Sequence, residues 1–256
     1  MGIIDTHCHL YLEQFDEDRA AMMQRAQDEG VARFYLPNID STTLDALWGL
    51  VGAYPKQCFP MMGLHPCSVK ENYQEELQLV EKELHTGKYF AVGEIGIDLY
   101  WDKTTLDHQL EAFKAQVDWA KELELPIVIH ARDAFSEIFN VIDELNDERL
   151  FGIFHCFTGG VEEAERIIGY EGFKMGIGGV VTFKNGGLDK TLAHVPIEHL
   201  VLETDAPYIA PAPNRGKRNE PSFLKFVVAK MSEIYNIPIE EVEEITTNNA
   251  LAVFES

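Results

Sequence analysis

Residues 2–10 read GIIDTHCHL, an apolar start that gives way to polar groups at Asp5, His7 and His9. Side chains alternate along a strand, so His7 and His9 share one face while Cys8 takes the other. Two imidazoles at the end of a buried strand need partners that offset the cost of their burial, and imidazole is a ligand for Zn, Mn, Fe and related divalent ions. An HxH pair alone is more often structural or surface-exposed, so the rest of the chain must decide.

Seven more apolar segments of the same kind follow: ARFYLPN (32–38), CFPMMGLHP (58–66), YFAVGEIGID (89–98), LPIVIHARD (125–133), FGIFHCFTG (151–159), FKMGIGGVVTF (173–183) and HLVLETDAPY (199–208). Helical patterns lie between them, clearest over 104–123, where Leu106, Leu110, Phe113, Val117, Ala120 and Leu123 recur every three or four residues. Further helices are expected at FLKFVVAKMSEIY (223–235) and EEVEEITTNNALAVF (240–254). Strand followed by helix, repeated eight times without a Pro/Gly/Ser linker, predicts an α/β fold of the TIM (β/α)8 barrel type, with the chain 1–256 as a single domain. An open doubly wound sheet is the alternative, but no GxGxxG follows the first strand.

Composition narrows the function classes. The chain has 256 residues, 46% of them hydrophobic and 25% charged, as in a soluble protein with a substantial core. No apolar run reaches the roughly 20 residues of a membrane span, and the N-terminus does not read as a signal peptide, so a cytoplasmic location is expected. Cys8, Cys58, Cys67 and Cys156 form no CxxC pair and are read as reduced thiols. The formal charge of −22 argues against nucleic acid wrapped along an extended basic surface, so any phosphate recognition must be local.

Polar residues interrupt the apolar segments near their C-terminal ends: His7 and His9, His65, Glu94, His130, His155 and Asp205. In a closed parallel barrel those ends converge on the face where barrel enzymes keep their active sites. Histidines and two carboxylates gathered there would make a nest for divalent metals, with one carboxylate able to bridge two ions. His85, His108, His194 and His199 lie outside this pattern and are read as solvated or structural. Cys8 and Cys156 should face away from the ligands beside them as small buried hydrophobes.

The motifs DTHCHL, GLHP, VGEIGID, PIVIHARDA, FHCFTGG, GVVTFKN, LETDAPY and RGKRNEP occur in this order along nearly the whole chain. On these the chain resembles the TatD family of metal-dependent deoxyribonucleases, within the amidohydrolase-like hydrolases. The resemblance implies two divalent metal ions (Mg, Mn or Zn), one on His7, His9 and Asp205, the other on His130 and His155, with Glu94 bridging. Glu203, two residues before Asp205, is expected on the same strand face, tuning or joining the site. One departure stands out, the APAPN that precedes the basic segment within residues 210–221.

The expected reaction is hydrolysis of DNA phosphodiester bonds, carried by Glu94 and Asp205, with Asp205 orienting or deprotonating the attacking water. His65, Arg132 and the run Arg215, Lys217 and Arg218 are expected to hold substrate phosphates over the barrel mouth. The DNA would enter as single-stranded or frayed ends, and the resemblance points to 3′ to 5′ exonuclease action; a monomer is assumed as the simplest case, with no membrane partner. Carbonyl chemistry on the same metals, including deacylation of aminoacyl-tRNA, is the alternative, and a metal-binding scaffold without turnover is a third.

Overall fold

A computed structural model describes residues 2–255. Eight strands alternate with helices along the described residues: β1 (Ile3–Asp5), β2 (Val31–Pro37), β3 (Cys58–Met61), β4 (Val92–Asp98), β5 (Ile127–Arg132), β6 (Gly152–Phe154), β7 (Phe173–Ile177) and β8 (Leu200–Leu202). The helices are α1 (Arg19–Asp28), α2 (Leu44–Ala53), α3 (Tyr73–Leu84), α4 (Leu106–Leu123), α5 (Phe135–Leu145), α6 (Val161–Gly169), α7 (Leu188–Leu192), α8 (Leu224–Tyr235) and α9 (Ile239–Phe254). All strand pairs are parallel, in the orders β1-β2-β3 and β4-β5-β6-β7-β8.

The two sheets meet at both edges through short seams rather than ladders. Met62 pairs with Val92 between β3 and β4, where the Gly93 N–H donates to Met62 O at 2.9 Å. Between β8 and β1, Cys8 pairs with Ala206, and the Thr6 N–H donates to Leu202 O at 3.0 Å. The strands thus follow one another around a ring in sequence order, which is the barrel architecture expected from the eight repeats.

Two apolar layers follow from the alternation of strand side chains. Ile4, Tyr35, Met61, Ala91, Val128, Ile153 and Val201 point inward and pack with Ala250, Val253 and Phe254 of α9, which plugs the end of the ring where the strands begin. Phe254 stacks on Tyr35 with ring centroids 3.6 Å apart. The neighbouring positions, among them Phe34, Leu36, Ile95, Ile97, Ile127, Ile129, Phe154, Leu200 and Leu202, face outward into a second cluster shared with the covering helices. With one mouth plugged, the ends where the strands finish are the accessible ones.

Local differences from the expected elements have simple causes. The segment 173–183 is not one strand: β7 stops at Ile177, and Gly179–Thr182 forms a 3-10 turn after Gly178. A Cβ on Gly179 would collide with Ile209 O, so glycine there lets the chain after β8 lie against this turn. Gly96 sits at φ +138°, and a Cβ there would strike the His130 backbone, so glycine sets the close approach of β4 to β5.

Candidate metal centre

Strand alternation delivers three of the metal-site residues directly. Val128 points inward, so His130 two positions on does too; likewise Ile153 leads to His155, and Val201 to Glu203. The other four depend on departures from strand geometry. Ile4 points inward, so a regular β1 would have turned His7 and His9 outward with the helices. The strand ends at Asp5 instead, the chain bends at Thr6 and His7, and it is Cys8 that joins the outer layer. In β4 a register shift between Gly93 and Ile95 turns Glu94 inward while Ile95 and Ile97 stay outward. Asp205 lies beyond the end of β8 with φ +54°, held by its N–H to His7 O at 2.9 Å.

These side chains converge on Glu94, which is only 2% exposed. One carboxylate oxygen, Oε2, lies 3.1 Å from His7 Nε2 and 3.5 Å from His9 Nε2. The other, Oε1, lies 2.6 Å from His130 Nδ1 and 3.3 Å from His155 Nε2. Asp205 Oδ1 completes the first group at 3.8 Å from His7 Nε2 and 3.7 Å from His9 Nε2. Glu94 therefore stands between two clusters, one oxygen turned to each.

The nitrogens facing away from Glu94 are held by other groups. His155 Nδ1 meets Glu203 Oε1 at 3.1 Å, and that oxygen also accepts the Cys156 N–H at 2.6 Å. His130 Nε2 meets Asp98 Oδ2 at 2.9 Å, and His9 Nδ1 meets the Tyr11 hydroxyl at 3.0 Å. Such outer partners orient a metal-binding imidazole and set its tautomer. Asp98 is not among the residues singled out from the sequence, although VGEIGID carries it; it lies four residues after Glu94, and regular alternation over Ile95–Asp98 puts the two carboxylates on one face of β4. Gln109 of α4 holds the end of β4 in place, its Oε1 accepting the Asp98 N–H at 2.8 Å.

The electrostatics follow from burial among opposite charges. Burial opposes ionisation of Glu94, yet the surrounding His65, His7 and His155 hold its carboxyl well below the usual range. Asp205 has no such surplus, and burial pushes it up to about 6. Burial drives His7 the other way, well below an ordinary imidazole. Asp98 is held low despite its burial by His130 and by the Trp101 and Tyr100 N–H groups.

The family model described as TatD related DNase matches residues 4–255. The chain belongs to the TatD-related DNase family. It is 37% identical over 253 residues to the uncharacterized metal-dependent hydrolase YabD of Bacillus subtilis, covering 98% of each chain. It is 29% identical over 258 residues to a protein of Pectobacterium parmentieri named 3′-5′ ssDNA/RNA exonuclease TatD, covering 98% of this chain and 99% of that one. The crystal structure of the TatD homologue YjjV from Escherichia coli superposes with a TM-score of 0.92 at 29% identity, over 99% of this chain and 98% of that one. Like its TatD relatives, the chain is a metal-dependent hydrolase.

The TatD-type cluster fits divalent cations on its own chemistry. Carboxylate oxygens and imidazole nitrogens face one another, and among the described residues no lysine or arginine pairs with Glu94, Asp205 or Glu203. His7, His9 and Glu94 form one group whose ligand atoms lie within 4.8 Å of one another, and His7, His155 and Asp205 form a second. His65 joins a third with Glu94 and His130, its Nε2 3.3 Å from Glu94 Oε1. Its Nδ1, however, accepts the Cys67 N–H at 3.0 Å. The neutral ring then carries its proton on Nε2, which makes His65 a hydrogen-bond donor into the cavity rather than a ligand.

The basic run lies elsewhere. The cavity over Glu94, about 400 Å³, is lined by His65 and Arg132 but by none of Arg215, Lys217 and Arg218. The Arg218 guanidinium is bidentate on Asp18, at 2.7 and 2.9 Å, and packs over Phe15; this pairing ties the loop to the start of α1. Arg215 stacks over Phe183 beside a separate shallow cavity, and the Lys217 amine lies near Asn214. The APAPN segment folds back, with the Ala212 N–H donating to Thr182 Oγ1 at 2.8 Å. His85, His108 and His194 are exposed and His199 is half-buried, all away from the cavity. Cys8 is fully buried in the outer layer, whereas Cys156 is half-buried and adopts φ +47°.

Proposed function

We propose that the chain hydrolyses phosphodiester bonds of DNA, removing nucleotides from the 3′ ends of single strands, with His7, His9 and Asp205 on one metal ion, His130 and His155 on the other, and Glu94 between them. The observation that carries this reading is the division of Glu94, one oxygen toward His7 and His9 and the other toward His130 and His155. Divalent ions in such a site supply charge neutralisation for a phosphoryl group and acidify water. Mg²⁺, Mn²⁺ and Zn²⁺ are the candidates.

The chain's own groups would do the rest. Asp205, at the mouth of the cluster with its side chain 14% exposed, would receive the proton of the attacking water as the new P–O bond forms and the bond to the 3′ oxygen breaks, and would return it to that departing oxygen. His65 Nε2–H and Arg132 would hold nonbridging oxygens. A concave mouth admits a strand end more readily than an intact duplex, and the name of the Pectobacterium relative supports both the single-stranded substrate and the polarity. The four free thiols suit a reducing cytoplasm. Among the described residues no helix is long and apolar enough to cross a membrane.

The test uses metal-stripped protein titrated with Mg²⁺, Mn²⁺ or Zn²⁺ on 3′-labelled and 5′-labelled single-stranded oligodeoxynucleotides. Stepwise shortening from the 3′ end, lost in Asp205→Asn, is expected. Oligonucleotides left intact with every metal, together with hydrolysis of aminoacyl esters or amides, would overturn this reading in favour of carbonyl chemistry.

A further inference from the structure

Large apolar side chains left in water collect around the metal cavity. Trp101 is 69% exposed, Tyr100 55% and Tyr208 46%. Trp101 and Tyr208 line the cavity, and Tyr100 stands beside Trp101 with ring centroids 4.9 Å apart. Leaving aromatic rings of this size exposed forgoes hydrophobic stabilisation, which points to a binding role rather than a folding one.

Their backbones are tied to the metal cluster. Asp98 Oδ1 accepts the Tyr100 N–H at 3.0 Å and the Trp101 N–H at 3.1 Å, while its Oδ2 holds His130. One buried carboxylate thus sets both an imidazole of the cluster and the aromatic turn. On the other side the Tyr208 N–H donates to Asp205 O at 2.8 Å, and its ring lies edge-on to His9 at 6.1 Å. The Arg132 guanidinium lies 4.0 Å over the Tyr100 ring and 5.6 Å from that of Trp101. A cation and aromatic faces held together beside a phosphate-handling centre are the elements by which proteins hold single-stranded nucleic acid.

We propose that Trp101 and Tyr208 form a nucleobase clamp at the mouth of the metal cavity, stacking on unpaired bases next to the scissile bond while Arg132 takes a phosphate. The clamp makes the substrate a strand whose terminal bases are free to stack, and it handicaps abasic ends. This rests on the phosphodiesterase reading above.

The test compares kcat/KM of the metal-loaded protein on two single strands that differ only at the 3′ end, one bearing normal bases and one with its last two nucleotides abasic. Base stacking of this kind is worth roughly 5- to 150-fold per base. With two bases removed, the wild type is expected to favour the base-bearing strand by at least that factor. Trp101→Ala and Tyr208→Ala should each shrink the preference, through KM, whereas Trp101→Phe should retain most of it. Equal rates of wild type on the two strands, or equal losses of the variants on both, would overturn the clamp while leaving the phosphodiesterase reading intact. A wild type that cleaves neither strand would instead bring down the reading beneath it.

Discussion

Glu203 shows how much a single side chain outside the ligand set can matter. Its carboxylate is fully buried, holds His155 Nδ1 through Oε1, and leaves Oε2 without a hydrogen-bond partner. Room for it exists because β7 carries Gly176 opposite, where a Cβ would collide with the Glu203 carboxylate. Groups that orient a metal-binding histidine are typically worth 10- to 100-fold in affinity or activity. Glu203→Gln should therefore weaken metal binding by about that factor, read by calorimetric titration of the apoprotein with Zn²⁺ or Mn²⁺. Unchanged affinity would reduce Glu203 to a packing role. Glu203 was legible from the sequence through its spacing from Asp205, but not through a shared strand face. β8 ends at Leu202 and Asp205 is left-handed, so regular alternation does not connect the two.

At the scale of elements, α9 and the two phase changes do what the strand pattern alone does not. α9 closes the ring by inserting Ala250, Val253 and Phe254 beneath the inward layer, which leaves the other end as the site's face. Phe254→Ala removes the ring stacked on Tyr35 and should cost about 3 kcal/mol of unfolding free energy. Urea denaturation would measure it, and a loss well under 1 kcal/mol would mean that α9 does not bear on the core. The bend after Asp5 has its own anchor: Asp5 Oδ2 accepts the Thr204 hydroxyl at 2.6 Å, and Oδ1 accepts the Thr204 N–H at 3.0 Å. That carboxylate joins the end of β1 to the end of β8, so Asp5, first met as a polar neighbour of the histidines, positions them without joining the cluster.

For the molecule as a whole, charge sets two measurable behaviours. Asp18 is held well below the ordinary carboxylate range by Arg218 and Arg25. Glu220 is held low by Arg25 and Ser222 in spite of its burial. Carboxyls depressed in the folded state stabilise it above their unfolded values, about 4, and that contribution disappears as the pH falls below them. The melting temperature should fall steeply below about pH 4, and less steeply in an Asp18→Asn, Glu220→Gln double variant; identical acid limbs would show that this network does not couple loop to barrel. The second behaviour concerns substrate. The chain carries a formal charge of −22, and Arg132 is the one lysine or arginine among the described residues that line the cavity. Each neutralised phosphate of a single strand contributes about 0.7 to the salt slope, so log KM against log salt should rise by no more than about 2 units per decade. A much steeper dependence would bring Arg215 and Lys217 back as phosphate contacts.

The sequence by itself determined the eight strand-helix repeats, the convergence of His7, His9, Glu94, His130, His155 and Asp205, and the shared face of His7 and His9, because hydrophobic period and strand-end position are local properties that survive without coordinates. Tertiary structure alone decided which way that face points, since the bend after Asp5 and the register shift at Glu94 reverse the phase that alternation would assign. It also decided the role of Asp98, whose partners lie on β5 and in the turn after β4, and the fate of Arg218, drawn to Asp18 about 200 residues away in sequence. Long-range pairing of this kind depends on which charges the closed ring brings together, and no local pattern encodes it.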